Sequence, residues 1–170
     1  MRIALLFASS LVLSATIAAQ QAQESPEGAR AQGVITRGEH VMGFSHEATT
    51  HHFHLFRDGG EIDVSANNPA DKTSIDLIRT HLGHIAKMFA SGNFKTPMII
   101  HDTNPPGVAT MVKLKEQIRY QYSQTERGAR IRITTATQGT TDAVHAFLLF
   151  QIVDHQTGDA PNISDDISKE

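Results

Sequence analysis

Two segments of this chain alternate apolar and polar residues with the period of a strand, and each folds back at a glycine-bearing turn before giving way to a helical repeat. Thr49 to Arg57 leads through Asp58-Gly59-Gly60 into Glu61 to Ala66. Ile118 to Ser123 leads through Glu126-Arg127-Gly128 into Arg130 to Ile133. Both read as β-hairpins. Successive strand side chains point to opposite faces, so His51, Phe53, Leu55, Ile62 and Val64 share one face of the first hairpin, and Tyr120, Tyr122, Ile131 and Ile133 one face of the second. His52, His54, Glu61 and Asp63 fall on the reverse face, as do Arg119, Arg130 and Arg132, whose expected role is to pair with those acids across the sheet.

A helix is predicted after each hairpin. From Ser74 to Phe89, residues Ile75, Ile78, Leu82, Ile85 and Phe89 centre an apolar arc, which His81, Met88, Leu77 and His84 widen on one side. Thr73-Ser74-Ile75-Asp76 resembles a capping box at its start, and Ser91-Gly92-Asn93 closes it. Thr140 or Thr141 is expected to cap the second helix, with Asp142 in its first turn and Gly158 just past its end near Gln156. That helix is apolar almost all round and so is expected to be central, with His145 in one apolar group and His155 serving its carbonyl end. Between the halves, Pro97 to His101 reads as a short edge strand, Asn104-Pro105-Pro106-Gly107 as a loop, and Val108 to Lys115 as a short helix. The expected fold is α+β: two ββα units forming a four-stranded antiparallel sheet, with both long helices packed on one face.

The ends carry other signals. Met1-Arg2-Ile3, the apolar run Ala4 to Ala19 and the abrupt Gln20-Gln21-Ala22-Gln23 read as a secretory signal peptide over residues 1–22, too short and too poorly flanked for a membrane anchor. Residues 23–36, poor in apolar side chains, read as a flexible lead-in, 37–158 as a single domain, and 159–170 as a flexible tail. The chain has no cysteine, so an exported form must rely on core burial without disulfides, and thiol, iron–sulfur and c-type haem chemistry are excluded. Loss of Arg2 with the leader takes the formal charge from −3 to −4, which argues against nucleic acid as partner. The expected location is the periplasm or outside the cell, without stable membrane insertion.

All ten histidines lie beyond the leader. Imidazoles on surfaces that must be buried are costly unless hydrogen-bonded or bound. The inner candidate cluster combines His51 from the first strand, His81 and His84 with Met88 from the first helix, and His145 from the second. Imidazole suits copper, zinc or iron, and a nearby thioether tilts the choice toward copper. An outer candidate is His52 and His54 with Glu61 and Asp63 across the hairpin. The competing reading of each histidine is a core residue bonded to a carbonyl. His101-Asp102, adjacent in sequence, make a poor catalytic dyad, and Asp58-Gly59-Gly60 precedes a strand where a phosphate loop would precede a helix.

Thr49-Thr50-His51-His52-Phe53, Asp58-Gly59-Gly60, the run His81 to Phe89, His101-Asp102 and the run Phe147 to Asp159 resemble a family of small secreted bacterial proteins of unassigned function, the last run being the most specific. Some members carry the automated name aspartate carbamoyltransferase. The present chain is about half the length of those enzymes' catalytic chains and lacks their Ser-Thr-Arg-Thr-Arg phosphate motif. The family pattern implies weight for His51, His52, His81, His84, His101 and His145, but not for His54. The leading expectation is a periplasmic metal-binding protein, a copper or zinc carrier, buffer or cofactor site, with His51, His81, His84 and His145 as ligands and His101 as a further one. The alternatives are a ligand- or partner-binding module built on a buried histidine hydrogen-bond network, and a metal-dependent enzyme.

Overall fold

The structure, a computed structural model, describes residues 25–164. The leader expected over residues 1–22 and the last six residues of the tail lie outside them. The element order is α1 (Pro26–Met42), β1 (Thr49–Phe56), β2 (Gly59–Ala66), α2 (Lys72–Ala90), α3 (Lys95–His101), α4 (Val108–Lys113), a 3-10 turn (Lys115–Gln117), β3 (Ile118–Thr125), β4 (Gly128–Thr135) and α5 (Gln138–Asp154).

Both hairpins form, and they join through β2 and β4 into one antiparallel sheet of order β1-β2-β4-β3. The register places His51 opposite Val64, Phe53 opposite Ile62, Ile62 opposite Ile131 and Tyr120 opposite Ile133, so the expected apolar residues do share one face. Helix α2 covers that face over β3 and β4, and α5 covers it over β1 and β2. Ile75, Ile78, Leu82, Ile85 and Phe89 of α2 are all buried, as the wheel requires. Helix α5 seats closely because the strand beneath it carries Gly60. A Cβ there would lie 2.2 Å from Leu148 Cδ1 and 2.4 Å from the backbone oxygen of His54.

Several expectations are corrected. Residues 26–36 are not a loose lead-in but most of α1: Ser25 caps it by accepting from the Gly28 N–H, Pro26 occupies its first turn, and Gly43 closes it at φ 80°. Few apolar residues suffice to dock it on α3, with Val34 fully buried. The stretch Pro97 to His101 is helix rather than edge strand, since Pro97, Ile100 and His101 are buried at helical spacing while Ile99 is 54% exposed. Asp71, not Thr73, caps α2, accepting from Ser74 N–H and hydroxyl. Thr137 caps α5, exchanging bonds with Thr140 three residues on. Helix α5 is central only on one side: Val144, Phe147 and Leu148 are buried, yet Val153 is 72% exposed. The tail is held as far as Ser164: its N–H donates to Leu55 O at 2.8 Å, and Asp159 is tied to β1.

Candidate functional site

The short helix α3 lies beside the core face of the sheet, and between them and α2 and α5 is a cavity of about 70 Å³. Its walls are chiefly apolar, including Phe53, Val64, Leu82, Ile85 and Phe147, but four imidazoles, His51, His81, His101 and His155, also line it together with Gln151. Strand β1 positions His51 through the same alternation that buries Phe53 and Leu55. Helical spacing in α2 puts His81 beside Leu82 and Ile85. The last turn of α5 supplies Gln151, and its C-cap supplies His155.

Two of these histidines, His51 and His101, pack against the ring of a third, His155. His51 and His155 stack with centroids 5.7 Å apart and planes within 6°, His155 meets His101 edge-on at 4.9 Å, and His46 stacks on His51 at 6.4 Å. Phe44 lies against both His51 and His81. Such packing suits neutral rings. Burial, followed by the neighbouring imidazoles of His46, His81 and His52, lowers the pKa of His51 to about 4. Burial, and then His84, lowers that of His81 to about 4. Burial, with His51, His101 and His46 beside it, holds His155 well below the ordinary imidazole value.

Both ring nitrogens of His101 have partners. The residue is 1% exposed. Its Nδ1 lies 2.5 Å from Asp154 Oδ2, and its Nε2 lies 2.9 Å from Gln151 Oε1. Arg30 of α1 grips the same carboxylate at 2.7 and 3.1 Å. Burial tends to raise the Asp154 pKa, but the bonds from Arg30 and His101 outweigh it and hold the carboxyl below its usual range. By contrast, both ring nitrogens of His51 are buried with no hydrogen-bond partner, and so is Nε2 of Gln151.

The structure therefore brings together His51, His81 and His101 of the expected ligands and separates the other two. His84 is exposed on α2. His145 lies toward the opposite end of α5, where its Nε2 is 2.8 Å from Phe56 O and 2.9 Å from Gly59 O; it pins the β1–β2 turn through carbonyls, as a core histidine does. His145→Ala should cost about 1–2 kcal/mol in urea unfolding and leave binding in the cavity unchanged. Met88 faces Thr96, whose hydroxyl lies 3.8 Å from its sulfur. On the outer face, His52 Nδ1 lies 2.8 Å from Asp159 Oδ1, and Asp159 Oδ2 accepts from the Phe53 N–H. The outer acids are opposed in register by arginines, Glu61 by Arg132 and Asp63 by Arg130.

Among the described residues, no group of three or more His, Cys, Asp or Glu is placed to hold a metal ion. The His51 and His155 rings present faces to one another, whereas ligation needs nitrogens to converge on a point about 2.0–2.1 Å from each. As placed, the five expected ligands do not form one such group among the described residues.

Sequence reasoning missed His46, Gln151, Asp154 and Arg30; it placed His155 at the end of α5, where it is, but not beside His51. The signal for the network lay in Gln151-x-x-Asp154, one helical turn apart, but its partner His101 was hidden while α3 read as a strand. Comparison with protein-family models, with curated proteins and with solved structures finds no match to this chain.

Proposed function

We propose that this chain is a small-ligand-binding module whose site is the cavity between the sheet, α2, α3 and α5, with His51 as the group that fixes the ligand's orientation. The observation that carries this reading is the His51 ring, with both nitrogens buried and unpaired at a wall that is otherwise mostly apolar. A buried polar group without a partner costs about 1–3 kcal/mol, and a ligand that bonded it would recover that cost. A cavity of about 70 Å³ is roughly half the size of one that takes benzene, so a ligand held within it has about three to five heavy atoms. His101 is the wall residue that Asp154, itself held by Arg30, fixes in place.

The test is a panel of such small molecules followed by NMR of the Ile62 and Val64 methyl groups at neutral pH. Saturable shifts are expected in the wild type, weakened at least tenfold in Val64→Ile, whose added methylene takes up cavity space. Absence of any saturable shift would end the reading. The metal reading retains one favourable observation, three depressed imidazoles that stay unprotonated at neutral pH. One equivalent of copper or zinc on purified protein, lost with His51→Ala, would replace the small-ligand reading with it.

The proposed setting is the periplasm or the cell exterior, resting on the order of charge, apolar run and small residues in positions 1–22. Mass spectrometry of the protein from its native host should show loss of about the first 18 to 23 residues. A cytosolic full-length form would contradict that.

A further inference from the structure

Taking the cavity as a ligand site, we infer that its ligand is an uncharged molecule carrying both a hydrogen-bond donor and an acceptor, of the kind represented by a compact primary carboxamide. Two side chains carry this. His51 leaves two ring nitrogens unpaired, and a neutral imidazole has one N–H and one lone pair, so it asks for an acceptor and a donor at once. Gln151, only 4% exposed, has one end of its amide on His101 and leaves the other end buried and unpaired. Turning that amide over exchanges which atom is left, not the fact that one is left. If His101 donates from both nitrogens, the Gln151 amide group that remains is a donor; if His101 accepts at Nε2, what remains is the carbonyl oxygen. A ligand with both functions satisfies either state.

The cavity also excludes charge. Its walls are largely hydrocarbon and include no carboxylate among the described residues; Asp154, which bonds the lining residue His101, is also held by Arg30. The neutral rings of His51, His81 and His155 supply no counter-ion for a carboxylate ligand. A ligand that is only apolar fills the space but leaves both unpaired groups as they are.

Three probes of one shape and a smaller apolar atom separate these cases: acetamide, acetone and acetate, with xenon, each titrated against the wild type by methyl NMR at neutral pH. The expected order is acetamide tighter than acetone by about tenfold, with xenon weaker still and acetate showing no saturable binding. In His51→Phe, which keeps an aromatic ring without its nitrogens, the advantage of acetamide over acetone should fall at least threefold, and Gln151→Met should act in the same sense. The His51 variant decides the matter if the Gln151 variant fails to fold. Equal affinity for acetamide, acetone and xenon would overturn the inference while leaving the cavity a ligand site. Tightest binding of acetate would overturn it likewise. If no probe shows saturable binding to the wild type, the inference falls together with the reading on which it rests.

Discussion

An Asp154→Ala chain should unfold about 3–5 kcal/mol more easily than the wild type. The Asp154 side chain is 7% exposed and accepts from two cationic or ring donors, while its partner His101 is 1% exposed. Removing the carboxylate strands the His101 Nδ1 in the interior, and that uncompensated group dominates the loss. Arg30 is 45% exposed at its side chain, so water can solvate it once it is released, and Arg30→Ala should cost no more than about 1 kcal/mol. Asp154→Asn, which can still accept from Nδ1, should fall between the two. Chemical denaturation at pH 7 measures all three. Equal losses for Arg30→Ala and Asp154→Ala would show that the surface grip, not the buried histidine, carries the energy.

Acidification should destabilise the fold before most carboxylates titrate. An unfolded histidine takes up its proton near 6.5, whereas His51 in the folded chain does so only near 4. Between those values the unfolded chain binds more protons, so stability is fully present above about pH 6.5 and is lost as the pH falls, levelling off near 4. For His51 alone the whole loss is about 3 kcal/mol, and about 2 kcal/mol of it is spent by pH 5. His81 works in the same direction, and so does His155. Glu61 and Asp63 oppose them: burial raises both, so acid relieves an unfavourable charge. Asp154 and Asp159 are held low, and their contribution is lost only as the pH falls below the ordinary aspartate value. Comparing wild type with His51→Phe cancels the carboxylates. The variant should lack up to about 1.4 kcal/mol per pH unit of the slope between pH 6.5 and 5. Parallel curves would show that His51 is solvated in the folded state.

The sheet and its covered face were legible because a period of two leaves little freedom: once Phe53 and Leu55 must be buried, His51 must share their face. The helix carrying Ile75 to Phe89 was equally constrained. What could not be read was how far each face extends. His84 and Leu77 sit on the margin of the α2 arc, and the sheet is not wide enough to cover them, so His84 and 38% of Leu77 remain in solvent. Pro97-Met98-Ile99-Ile100-His101 is too short for period to tell strand from helix, and that ambiguity concealed the wall that makes the cavity. Helix α1 left only cap signals, Ser25-Pro26-Glu27 at one end and Gly43 at the other, because docking on α3 needs little apolar surface. His145 and His155 share an arc on α5, yet about ten residues of helix put one at the hairpin turn and the other beside His51. Periodicity gives the side of a helix that is buried; only the tertiary packing gives what each level of that side meets.

The central claim is that His51 holds a small molecule in the cavity, and the ring nitrogens of His51 report on it most directly. In protein labelled with ¹⁵N-histidine and titrated with acetamide at pH 7, the account predicts that the His51 nitrogens shift saturably with a stoichiometry of one. The His145 Nε2, already committed to the Phe56 and Gly59 carbonyls, should stay in place. Saturation of the protein with the His51 nitrogens unmoved, or no saturation at all, would contradict it.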